Sequence, residues 1–195
     1  MLSLFRPDEQ LISRTMEASR GQQLTYSDLL ATVETRTPAG FSPNYWKSRI
    51  GTGLQVFRLA CSAIDELQML KLGWLSVVAA DGPPEVGRQV ATLARSSGIW
   101  SLNVARVVAV DNETEHRHGF CYGTLPEYPV SGEERFTVAC DPDTLEVTFE
   151  VFSFSRPAAL LAKAGWPLIR RAQRQFCSDA AAAMRNACKC EPTDS

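Results

Sequence analysis

From Leu54 to Leu70 the apolar residues Leu54, Phe57, Ala60, Cys61, Ile64, Leu67 and Leu70 recur at intervals of three and four, while Arg58, Asp65, Glu66 and Gln68 fall mostly off that stripe. The spacing predicts an amphipathic helix lying on a core. Beyond it the period shortens to two. Trp74–Ala79, Val86–Arg95, Asn103–Val110, His118–Leu125, Glu133–Ala139 and Leu145–Phe154 read as strands, and the pieces between them are turn chemistry such as Asp81-Gly82-Pro83-Pro84 and Asp141-Pro142-Asp143. Strands so spaced predict an antiparallel meander. Tyr45–Ile50 is expected as a short strand ahead of the helix, ended by Gly51-Thr52-Gly53. From about Ala158 to Ala187, Leu160, Leu161, Ala164, Leu168, Ala172, Phe176, Ala180, Ala183 and Ala187 form one stripe, with Arg170, Arg171, Arg174 and Arg185 off it. That is a long helix, expected to kink or break near Gly165-Trp166-Pro167 because proline lacks the N–H and clashes with the preceding turn.

The order strand, helix, curved antiparallel sheet, long C-terminal helix defines an α+β chain whose sheet face must be covered by the two amphipathic helices. It resembles the helix-grip arrangement of the START/polyketide-cyclase-like (SRPBCC) superfamily, which implies a cavity between sheet and helix. One domain is expected over residues 45–188, preceded by a wrapping segment over 1–44, where short apolar pieces alternate with breakers such as Pro38-Ala39-Gly40, and followed by a polar tail over 189–195.

Composition narrows the classes without naming a ligand. The chain has 195 residues, 45% hydrophobic and 22% charged, an ordinary globular mixture, and its net charge of −2 gives the whole protein no electrostatic reason to seek nucleic acid. MLSLFRPDEQ lacks the unbroken apolar stretch of a secretory signal, and no run approaches the ~20 apolar residues that span a bilayer, so a cytoplasmic protein without integral membrane contact is expected. The scattered cysteines are read as reduced packing residues. Cys188 and Cys190 form a C-x-C, but zinc sites usually separate paired ligands by two residues, so no metal and no cofactor is expected. Nucleophile elbow, P-loop and dinucleotide fingerprints are absent from the sequence.

Gly119-Phe-Cys-Tyr-Gly-Thr-Leu-Pro126, Ser131-Gly-Glu-Glu-Arg-Phe136 and Phe154-Ser-Arg-Pro157 carry a more specific resemblance. With Arg49–Gly53, Trp100–Asn103 and Pro167–Gln173 in the same order, the chain is similar to the uncharacterised protein family 0548 over about residues 24–185. Tyr128 stands where that resemblance leads one to expect a histidine. It implies a fold and supplies no reaction.

Alternation along the strands selects the candidate chemistry. Glu134 shares a face with Phe136 and Val138, and Arg106 with Val104, Val108 and Val110. A lone charge in apolar company is costly, so these two either pair with each other or sit at a solvated rim, or they orient a polar group of a ligand. Tyr122 lies between Gly119 and Gly123, residues suited to close approach of a backbone or a ligand. As catalytic candidates Glu134 is the base, Arg106 the anchor for a carboxylate or enolate, and Tyr122 the donor to an oxygen. Trp100, Phe136, Phe154 and Arg156 are the expected ligand-binding wall. The expected function is binding of a small hydrophobic or amphipathic molecule. The alternatives are a cofactor-free isomerase or cyclase working by proton transfer, and a domain with a solid core that contacts other proteins.

Overall fold

The computed structural model describes residues 1–189 apart from 81, 97, 127 and 159–165. Its elements run β1 (Leu2–Ser3), α1 (Glu9–Ser19), β2 (Ser42–Thr52), α2 (Leu54–Asp65), β3 (Leu75–Ala80), β4 (Gln89–Ser96), β5 (Ile99–Thr114), β6 (Arg117–Thr124), β7 (Val130–Cys140), β8 (Glu146–Pro157) and α3 (Trp166–Ala187). Of the expected last helix, residues 159–165 lie outside the described residues, as does Cys190 with the tail after it; the described helix begins at Trp166, with Pro167 in its first turn, where proline is tolerated.

β3 to β8 form the predicted antiparallel meander, and β2 joins it on the far edge, giving the order β2-β8-β7-β6-β5-β4-β3. The short β1 pairs with the start of β5 through Leu2–Ser101 and Ser3–Trp100. Register shifts at Arg49/Gly51 in β2, Val77/Ala79 in β3 and Val107/Ala109 in β5 insert bulges, which bend strands and raise their twist. The sheet curves around α3 in the helix-grip manner.

The predicted helix from Leu54 to Leu70 is shorter than its period suggests. α2 ends at Asp65, Leu67 takes a left-handed φ of 57°, and Gln68–Leu70 then forms one 3-10 turn. The apolar spacing survives because Leu67, Met69 and Leu70 still point into the core. On that inner face α2, the turn and α3 pack Phe57, Ile64, Phe176, Ala180 and Met184 against Phe120, Phe136, Val138, Phe149 and Val151 of the sheet.

The outer face is also covered. Ile12 and Met16 of α1 pack over Leu93, Leu102 and Val104 of β4 and β5. Further on, Tyr26, Ala31 and Phe41 pack against Phe154 of β8. β6, β7 and the later half of β8 are therefore covered on both faces, which explains their nearly continuous burial, whereas the first half of β8 alternates.

Candidate functional site

Adjacent residues of β7 leave opposite faces of the sheet, and this divides the Gly-Glu-Glu-Arg-Phe motif into two sites. Glu133 and Arg135 face outward. Both are buried, at 2% and 3% exposure, beneath the segment that precedes β2. Glu133 accepts from the Tyr26 hydroxyl at 2.7 Å, from the backbone N–H of Leu30 and of Thr32 at 2.9 Å each, and from the Thr32 hydroxyl. Arg135 donates to the Thr32 carbonyl at 2.7 Å and pairs with Glu150. This is a clasp that fixes chain to sheet.

Glu134 faces inward, as alternation predicts, and one cross-strand row runs through it. The register aligns Asn44 with Ser153, Ser153 with Glu134, and Glu134 with Tyr122, across β2, β8, β7 and β6. The next inner row, Val151, Phe136 and Phe120, is wholly apolar and fully buried. The Tyr122 hydroxyl donates to Glu134 Oε2 at 2.7 Å, Ser153 also hydrogen-bonds the carboxyl, and the Tyr128 hydroxyl is hydrogen-bonded to that of Tyr122. α3 closes the row, with Asn44 donating to Cys177 Sγ at 3.1 Å and Gln173 donating to Ser155 Oγ at 2.9 Å.

Electrostatics follow from burial. Desolvation raises the Glu134 carboxyl to about 7, against the two hydrogen bonds that favour its charged form. Burial, and then the nearby Glu134, pushes the Tyr122 hydroxyl well above its ordinary value, and Tyr128 moves the same way. Cys177 is pushed up to about 12 by burial and then by Glu134, so it is a packed thiol and not a nucleophile. Glu134 and Tyr128 nevertheless keep partial solvent access, whereas the row beneath them has none.

The structure separates the other expected site residues from this row. Arg106 lies on the outer face, where it donates to the carbonyls of Ser19 at 3.0 Å, Arg20 at 2.8 Å and Gln22 at 2.9 Å and so caps the end of α1. The bulge after Val107 changes the alternation, which is why Val104 packs outside and Val110 inside. Trp100 is also outside, its ring flanked by the guanidinium groups of Arg6 and Arg95. Phe154 packs edge-on against Tyr26 and Phe41, and Arg156 lies 4.5 Å over the Phe41 ring. None of these four touches the inner row. Phe136 does face inward, but within a filled aromatic cluster with Phe120, Tyr122, Phe149 and Phe176. Two surface hollows, of about 400 and 310 Å³, are lined by none of the row residues.

Tyr128, Ser153, Asn44 and Cys177 escape the sequence reading. Ser153 alone carried a usable signal, since Phe152-Ser-Phe-Ser155 alternates polar with apolar as a strand with two different faces must. Among the described residues no three His, Cys, Asp or Glu side chains gather as metal ligands, and no helix is long and apolar enough to cross a membrane.

A curved antiparallel sheet closed on a long C-terminal helix, with a polar row between them, makes this an α+β helix-grip protein. Residues 25–183 match a domain of unknown function (DUF1990), and the chain belongs to that family. A UPF0548 protein of Deinococcus radiodurans is 30% identical over 186 residues, 90% of this chain and 92% of its own. One of Dictyostelium discoideum is 29% identical over 198 residues, 92% of each. Among solved structures, a protein of Thermus thermophilus superposes with a TM-score of 0.52 at 15% identity, over 75% of this chain and 97% of that one. The di-domain ARO/CYC BexL of the BE-7585A biosynthetic pathway gives 0.52 at 17% identity, over 84% of this chain and 53% of that one. At these identities the likeness is one of fold.

Proposed function

We propose that this protein binds a small amphipathic molecule between the sheet and α3, placing a carbonyl or hydroxyl of the ligand against Glu134, Tyr122 and Tyr128. The observation that carries the reading is the inner polar row. Burying a carboxyl, two phenols, a serine and an asparagine inside an otherwise apolar layer costs stability unless something uses them, and a partly accessible set of donors and acceptors suits orienting a ligand. Arg106 has no part in it.

The carboxyl at about 7 favours one further step, cofactor-free proton transfer on the bound molecule. Glu134 would take a proton from a carbon beside a carbonyl, and Tyr122, its hydroxyl turning from Glu134 to the ligand, would donate to the oxygen on which charge develops, with Tyr128 supporting Tyr122 from behind. Isomerisation and cyclisation are reactions of this kind.

Native mass spectrometry of the purified chain, with anilinonaphthalene sulfonate titration of the solvent-extracted protein, tests the binding reading. A retained or acquired small molecule, lost when Ser153→Trp puts bulk beside Glu134 in a chain that still folds, supports it. No retained mass and no dye binding in a folded protein would instead favour the solid-core reading, to which the filled aromatic cluster beneath the row lends support.

A further inference from the structure

We propose that the end of the sheet at which α3 begins docks on an anionic phospholipid surface. The register brings two separate stretches to that end. Pro157, the last residue of β8, pairs with Val130 at the start of β7, and the same direction along the sheet leads through Thr124–Ala105 to Trp100, which pairs with Ser3. The first turns of α3 attach there, because Gln173 bonds Ser155 and Arg170 donates to the Pro43 carbonyl.

Both stretches expose what a bilayer interface takes up. Leu4 and Phe5 are 75% and 82% exposed, followed by the exposed Arg6. On α3, Leu168 is 72% exposed, and Arg171 and Arg174 on the same side of the helix are exposed as well. Residues 166–178 contain three arginines and no aspartate or glutamate, in a chain whose net charge is −2. Exposed apolar side chains and guanidinium groups at one end of the sheet match the acyl boundary and phosphate layer of an anionic membrane, and arginine binds phosphate bidentately. Docking itself does not depend on the ligand reading.

Co-sedimentation of the full chain with phosphatidylcholine vesicles, with and without phosphatidylserine, at low and high salt, tests the proposal. The chain should pellet with the anionic vesicles and be released by salt. R171E/R174E should lower binding by about 30-fold or more, at ~1 kcal/mol for each arginine lost, L4S/F5S should also lower it by removing the inserted apolar tips, R171K/R174K should retain it, and all three should melt like the parent because the altered side chains are exposed. Failure to pellet, equal binding to neutral vesicles, or variants that bind as the parent does would overturn the proposal. So would arginine-dependent retention on heparin without vesicle binding, which would assign the cluster to another polyanion. Dye and ligand binding by R171E/R174E should stay as in the parent, so failure here is separable from failure of the binding reading.

Discussion

Glu133 and Glu134 are consecutive, both carboxyls are held by a tyrosine hydroxyl at 2.7 Å, and they lie on opposite sides of one sheet. Tyr26 reaches Glu133 from outside and Tyr122 reaches Glu134 from inside. The outer carboxyl has its lone pairs filled by two backbone amides and two hydroxyls, while the inner one is left short of partners and close to solvent. Saturation marks the structural group and incomplete satisfaction the candidate functional one.

Glu133→Gln should therefore destabilise the fold by about 2–4 kcal/mol, because an amide must aim a donor at groups that are themselves donating. The loss should appear in urea melts and as faster amide exchange at Leu30 and Thr32. Melts indistinguishable from the parent would show that the clasp contributes little.

Glu134→Gln should behave in the opposite sense, with a pH signature. The folded state holds the Glu134 proton more tightly than the unfolded chain does, since its carboxyl is raised to about 7. Its stabilising contribution is complete below the unfolded carboxylate value of about 4.3 and is lost as pH rises through the folded value. The stability of the parent minus that of E134Q should fall between about pH 4.5 and 8, by an order of 1–3 kcal/mol. A flat difference would place Glu134 in an ordinary solvated setting.

The strands, the two main helices and the inward direction of Glu134 and Tyr122 were legible because period and alternation are local properties. The far side of the sheet was not. Assigning every large aromatic of the strands to the pocket side placed Phe154 and Trp100 in its wall, whereas both pack against chain that precedes β2. Arg106 failed for a related reason. Regular alternation put it on one face with Val104 and Val110, but the bulge after Val107 separates those two, and nothing local says which of two apolar faces holds a ligand and which holds a helix. Tyr128 reaches the site from a loop, where no period exists to place it.

Arg106→Ala separates these assignments. Three carbonyls at the end of α1 lose their donor, so α1 should fray in hydrogen exchange and the protein should lose about 1–2 kcal/mol. Dye binding at the inner row should be unchanged. A change in dye affinity without fraying would return Arg106 to the ligand.

Gly123 tests how closely the outer segment is fitted. A Cβ built there would lie 2.3 Å from the Tyr26 hydroxyl oxygen and 2.9 Å from Leu24, so the clasp approaches the β6 backbone where only glycine leaves room. Gly123→Ala should cost about 1–3 kcal/mol, as overpacking does. Much of that arises from displacing Tyr26, the donor to Glu133, so the two sites are coupled. In a double-mutant cycle Tyr26→Phe should lower the cost of the alanine, since the hydroxyl that it strikes is gone. Strict additivity would mean that the segment yields as a whole and that Tyr26 is not its anchor.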